Sequence, residues 1–182
     1  MPDLELIEAA KRGDQAAMVQ ILQHLELPLY RTAYYLLGNE DDASDATQEA
    51  LIKIYKKLHT YQEKASLETW AQRIVRNVCM DFFRKKKDEI SLDMDVPDNH
   101  KGLQIEGQIE NRLVYQDLQE AVMQLRPAYR EVIVLRYIQD YSYQEIADTL
   151  CLPMNTVKSY LFRARQELHL WLKEYDQGGG KR

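Results

Sequence analysis

The stretch Ser142 to Leu168, SYQEIADTLCLPMNTVKSYLFRARQEL, decides the fold. Ser142 and Glu145 stand three residues apart ahead of an apolar run. This is the pattern of a capping box, in which hydroxyl and carboxylate each satisfy a backbone amide of the first turn. It predicts a short helix over Tyr143 to Leu150, a turn over Cys151 to Met154, and a second helix opening at Asn155 or Thr156 and running to about Lys173. At about 100° per residue, Val157, Leu161, Ala164, Leu168 and Trp171 share one face of that helix, and Asn155, Ser159, Phe162, Arg163 and Gln166 share the opposite one. Two helices joined by such a turn form a helix-turn-helix, whose second helix enters the DNA major groove. A Phe among Ser, Arg and Gln suits thymine methyls beside hydrogen-bonded base edges. The plainer reading packs Phe162 under a neighbouring helix and leaves Arg163 solvated. The capping box, the turn and the basic neighbours Lys158 and Arg165 favour DNA.

Working outward, Pro127 fits the first turn of a preceding helix, where a missing amide hydrogen costs nothing, and Tyr129, Val132, Ile133, Arg136 and Tyr137 continue it. Further upstream, residues 88 to 111 are polar, acidic and without helical period, and read as a flexible linker. That leaves an N-terminal domain over residues 1 to 87, a C-terminal domain over 112 to 177 and a disordered tail over 178 to 182. Helix breaks are expected at Leu27-Pro28, Gly38-Asn39, Gln62 to Ser66, Arg126-Pro127 and Leu152-Pro153. Apolar residues recur at three and four nearly throughout the 182-residue chain, so the fold class is all-α, with two small helical domains.

In the N-terminal domain, LETWAQRIVRNVCMDFFRKKK (Leu67 to Lys87) sets an apolar face of Leu67, Ala71, Ile74, Val75, Val78 and Phe82 against a cationic one. The latter holds Arg73, Arg76, Asn77, Met80, Arg84 and Lys87, with Trp70 at the boundary. A cationic stripe next to an aromatic suits melted or single-stranded DNA, although such a stripe is usually just a solvated face. Before it, DDASDATQEALIKIYKKL (Asp41 to Leu58) places carboxylates at the positive end of a helix dipole. Its core stripe is Ala43, Ala46, Ala50, Ile54 and Leu58, which leaves Asp45, Gln48, Glu49, Ile52 and Lys53 outside. Taken alone, these residues read as ordinary capping and solvation.

The composition sets bounds on all this. A net charge of -5 argues against nucleic-acid binding only as an average, because acidic and basic residues are segregated along the chain. The two cysteines, Cys79 and Cys151, lie far apart inside apolar segments and read as buried thiols. The four histidines have no ligand spacing, so no metal is expected, and no phosphate-binding loop or nucleophile motif appears; neither cofactor nor catalysis is expected. No apolar run is long enough to span a membrane and the start lacks a signal-peptide pattern, so a cytoplasmic protein is expected.

Taken in order and spacing, the two N-terminal segments and LRPAYREVIVLRYIQDYSYQEIADTLCLPMNTVKSYLFRARQEL (Leu125 to Leu168) resemble the extracytoplasmic-function sigma factors of bacterial RNA polymerase, over roughly Ile7 to Trp171. The resemblance implies that the N-terminal domain is sigma region 2 and the C-terminal one region 4. It implies partners in core RNA polymerase, through its clamp helices and flap, in promoter DNA, and in an anti-sigma factor. Asp45, Gln48, Glu49, Ile52 and Lys53 would then dock on the polymerase. Tyr61, Lys64, Ser66, Trp70, Arg73, Arg76, Asn77 and Arg84 would melt and read the minus-ten element. Asn155, Thr156, Lys158, Ser159, Phe162, Arg163 and Gln166 would read the minus-thirty-five element. The rival readings are an autonomous helix-turn-helix repressor or activator, which has no obvious use for the basic helix and the acidic linker, and an all-helical adaptor or anti-sigma protein, which leaves the Phe162-Arg163 face idle.

Overall fold

The computed structural model describes residues 2 to 92 and 118 to 177, and among them every regular element is helical. Asp3 opens α1 (Leu4–Lys11) by accepting from the Leu6 amide at 2.8 Å, and Asp14 opens α2 (Gln15–Leu37) through the Ala17 amide at 3.1 Å. Gly38, at φ +87°, closes α2 in the left-handed region, its amide donating to the Tyr34 carbonyl. Asn39 then caps α3 (Glu40–Lys57), whose first turn carries Glu40, Asp41 and Asp42, as the dipole favours. A single 3-10 turn (Leu58–Thr60) leads to a loop and to α4 (Leu67–Leu92).

These four helices pack around Ile21, Leu25, Leu29, Ala43, Ala50, Ile54, Leu58, Val75 and Val78. The core stripe expected of α3 is fully buried over all five positions. Pro28 does not break α2, contrary to the expectation at Leu27-Pro28. It lies inside the helix, held by Leu25 and Leu29, whose burial on either side outweighs the roughly 3 kcal/mol that a mid-helix proline costs. A second boundary that moves is the end of α4, which continues through Asp88 to Leu92 where the linker was expected to have begun. The rest of that linker and the tail from residue 178 lie outside the described residues.

The C-terminal unit begins with α5, described over residues 118 to 124, then α6 (Pro127–Ile133), with Pro127 in its first turn as expected. The chain widens into a π-helical turn over Val134–Ile138, in which the Gln139 amide reaches back to the Val134 carbonyl. The capping box forms: Ser142 Oγ accepts from the Glu145 amide at 3.2 Å, and Glu145 Oε2 accepts from the Ser142 amide at 2.8 Å, opening α7 (Tyr143–Leu150). Cys151 ends α7 at φ +54° with its side chain exposed, so only Cys79 is the buried thiol that was expected of both. The tight turn needs a left-handed residue there, and its Cβ points outward. Burial pushes the Cys79 thiol up to about 12. The last helix, α8 (Met154–Gln177), starts one residue before Asn155, with the Thr156 and Val157 amides donating to the Pro153 carbonyl.

The two units touch. Helix α7 lies against α4, and α6 with the π turn lies against α2, so the buried apolar residues form one continuous cluster from Ile7 to Ala164.

Candidate nucleic-acid interface

Helix α8 is fixed by Val157, Leu161 and Ala164, all essentially inaccessible, beneath α6 and α7. Its opposite face is turned to solvent: Asn155, Lys158, Ser159, Phe162, Arg163 and Gln166 are exposed, and Thr156 is half-buried. Phe162 is 57% accessible, so it is not packed under a neighbour. Tyr129 of α6, itself buried, stands beneath this helix with its ring edge-on to Tyr160 at 5.4 Å. The Tyr129 phenol is the main influence that holds the Arg163 guanidinium above its ordinary pKa.

On α3, Asp45, Gln48, Glu49, Ile52 and Lys53 lie together on the outer side. Glu49 and Lys53 pair at 2.7 Å, and Ile52 is 54% accessible. Tyr55, at 58%, extends this apolar spot and was missed by the sequence reading. The signal was present, since a residue three beyond Ile52 falls on the same side of a helix.

The loop before α4 is pinned. Tyr61 is buried, its hydroxyl donates to the Ala65 carbonyl at 2.6 Å, and its ring meets half-buried Trp70 at 5.4 Å. Lys11 sits over the Tyr61 ring and pairs with Glu63 at 3.1 Å. Ser66 Oγ accepts from the Thr69 amide at 3.1 Å, which makes Ser66 the opening residue of α4; Lys64 remains exposed. Tyr61 therefore forms the floor of this loop rather than a free stacking surface.

The cationic stripe of α4 is where the structure departs most from expectation. Arg84 pairs with Asp81 and stays exposed, and Asn77 is exposed beside Arg76. Arg73 and Arg76, in contrast, are drawn to the C-terminal unit. Arg73 Nη2 donates to the Asp148 carbonyl at 2.5 Å, and Arg76 grips both carboxylate oxygens of Glu131 at 3.1 and 3.3 Å. Gln72 and Cys79, also on this side, are buried. Burial raises the Glu131 carboxyl above its usual range, and Arg76 only partly opposes this. The adjacent Arg130, its pKa lowered by burial, donates to the Leu36 carbonyl of α2 at 2.9 Å and to the Met123 and Leu125 carbonyls of its own unit. Gln139 donates to the Pro28 carbonyl at 2.7 Å and to Thr32 at 2.9 Å. The sequence hint was two charges, Arg130 and Glu131, inside the otherwise apolar run YREVIVL, since charges so placed need partners.

Among the described residues no helix is long and apolar enough to cross a membrane. Residues 17–89 match the sigma-70 region 2 family and residues 115–168 match sigma-70 region 4. The chain is 34% identical over 179 residues to the ECF RNA polymerase sigma factor SigW of Bacillus subtilis, covering 92% of this chain and 95% of that protein. It is also 34% identical over 172 residues to ECF sigma factor SigE of Mycolicibacterium smegmatis, covering 90% of this chain and 65% of the relative. Among solved structures, the sigma factor RpoE in complex with the anti-sigma factor NepR from Bartonella quintana superposes with a TM-score of 0.74. That match has 28% identity and covers 85% of this chain and 95% of that one. CnrH, in complex with the cytosolic domain of CnrY, shares the fold at a TM-score of 0.74 and 24% identity, over 95% of this chain and 98% of that one. With both sigma-70 regions present in order on two helical units, and near full-length similarity to SigW, the chain belongs to the extracytoplasmic-function sigma factors, which bind core RNA polymerase and direct promoter recognition and transcription initiation.

Proposed function

We propose that this sigma factor divides its work among three surfaces and performs no chemistry of its own. The outer side of α3, with Asp45, Gln48, Glu49, Ile52 and Lys53, docks on the polymerase clamp helices, and the exposed apolar pair Ile52 and Tyr55 supplies the area that desolvates there. The loop ahead of α4, with Lys64, Ser66 and Trp70 over the Tyr61 floor, receives a base flipped from the minus-ten element. Arg73, Arg76, Asn77 and Arg84 hold the melted strand. The exposed face of α8 reads the minus-thirty-five element: Phe162 meets thymine methyls, and Ser159, Arg163 and Gln166 meet base edges. Asn155, Thr156 and Lys158 hold phosphates.

The observation that carries this reading is the Phe162 face. A large aromatic left more than half exposed, between Ser, Arg and Gln on a helix otherwise anchored by Val157 and Leu161, suits contact with a partner that offers methyl groups beside hydrogen-bonding edges. We assign region 2 to residues 1 to 87, the linker to 88 to 111 and region 4 to 112 to 177, in a cytoplasmic protein. An anti-sigma factor, such as the one that accompanies the Bartonella relative, is the expected negative regulator.

Run-off transcription on genomic fragments with core polymerase, with and without the protein, tests the reading. New promoter-specific transcripts are expected only with it. In the same assay, substitutions at Lys64 and Asn77 should abolish discrimination at one minus-ten position and slow permanganate-detected opening. Salt-resistant binding of a palindromic duplex by a free dimer would instead make the protein an autonomous repressor.

A further inference from the structure

The loop assigned to the flipped base is a short ring. Tyr61 at its start is buried and its phenol donates to the Ala65 carbonyl at 2.6 Å, so Gln62, Glu63 and Lys64 form an exposed tip between two tied ends. Ser66 closes the far side by capping α4 through the Thr69 amide. Glu63 stands at φ +59°, in the left-handed region that an L side chain adopts only at a cost. Its carboxylate meets Lys11, the last residue of α1, at 3.1 Å.

The end of α1 is a firm base for that contact. Ile7 and Ala10 are buried beneath it, and the Asp14 amide donates back to the Ala9 carbonyl at 3.1 Å. From there the Lys11 ammonium, with donors to spare, reaches Glu8 Oε1 at 2.9 Å, Glu63 Oε1 at 3.1 Å and the Tyr61 ring at 5.4 Å from its centroid. An ordinary surface ion pair leaves both ends in water and adds little to stability. Here the Lys11 side chain is only 17% accessible, against 46% for Glu8 and 42% for Glu63, so the cation is enclosed between helix and loop.

We propose that Lys11 is a positioning residue for the minus-ten loop: by gripping Glu63 from α1 while lying over the Tyr61 ring, it sets the path of the tip and so the place at which a flipped base is read. The proposal rests on the reading of this loop as the base receptor. Lys11 itself stays off the DNA and acts through Glu63 and Tyr61. A tip free to swing presents Lys64 in several positions, and a base edge is discriminated only by groups held in place. Loss of Lys11 therefore blurs the choice of base and leaves docking on core polymerase as it was.

The test is run-off transcription by the full chain with core polymerase, on a promoter found in the genomic screen and on single substitutions through its minus-ten element. Lys11→Met keeps the length over Tyr61 without the charge, and Glu63→Gln removes the partner's charge; the two are also combined. Lys11→Arg tests rescue, and Glu8→Gln removes the carboxylate that lies off the loop. Preference at one minus-ten position is expected to fall about two- to fivefold in Lys11→Met and in Glu63→Gln, no further in the double variant, and to stay at the parent level in Lys11→Arg and Glu8→Gln. Core affinity is expected to be the same throughout. Losses that add in the double variant, or that simply track the urea-unfolding midpoint across the set, overturn the positioning role. Unchanged preference in both single variants, where Lys64→Ala loses it, overturns the role of Lys11 and spares the loop. Unchanged preference in Lys64→Ala as well as in Lys11→Met overturns the loop as base receptor.

Discussion

Arg163 and Lys158 lie on the same exposed face of α8, and the different duties proposed for them, base edge and phosphate, should make their loss look different. A guanidinium fork on this exposed face suits bidentate contact with a base edge. Replacement of Arg163 by Ala should cost about 1–3 kcal/mol of holoenzyme binding and relax preference at one base pair, whereas Lys158→Ala should weaken all sequences alike and lower the salt slope by about one. Binding titrations at several salt concentrations on a set of minus-thirty-five variants separate the two. If both variants keep the same base preference, the roles are wrongly divided. Glu131 gives a residue-level pH signature. Its carboxyl is raised in the folded chain, burial being the larger cause and the Arg76 charge the opposing one. A raised pKa means that the folded state holds the proton more tightly than the unfolded one. The stability this contributes is complete below 4.5, the ordinary value, and is lost as pH rises through the raised value. In melting curves from pH 4 to 8 the parent should therefore lose ground against Glu131→Gln as pH rises. An unchanging gap would place Glu131 in solvent.

Two helix ends contribute measurably to the stability of their elements. Ser142 and Glu145 answer each other across the first turn of α7, an eight-residue helix too short to persist without help. Ser142→Ala should lower stability by about 1 kcal/mol, read from urea unfolding, and should loosen the turn that aims α8. No change in midpoint would mean that the packing of Ile146 and Leu150 alone holds α7. At the C-terminal end of α2, Gly38 stands at φ +87°, and a Cβ there would also come within 2.7 Å of the flexible tip of Met123. Gly38→Ala should cost on the order of 1 kcal/mol through the backbone, because Met123 can move and φ cannot.

At the scale of the whole molecule, promoter binding depends on how the two units are held. With α7 against α4, the free chain should bind duplex promoter DNA weakly. Core polymerase should raise the affinity steeply by fixing the spacing of the two DNA-reading surfaces. Electrophoretic titration with and without core polymerase checks this, and equal affinity in the two would rule it out. Helix faces and ends were readable in advance where a residue's role depends on near neighbours in sequence. The α3 stripe from Ala43 to Leu58, the Ser142–Glu145 box, Pro127 in its first turn and the exposed Phe162 all follow from a period of 3.6 and from the needs of a helix's first amides. Tertiary contact decided the rest. Pro28 continues α2 because Leu25 and Leu29 hold the helix together, a gain no local propensity contains. Tyr61 became a floor because Trp70 and Lys11 enclose it. Arg73 and Arg76, by spacing alone members of a free cationic face, are engaged because α6 and α7 bring Glu131 and the Asp148 carbonyl against them from far along the chain. A helical wheel assigns each residue a direction; what waits in that direction depends on how the separate helices pack.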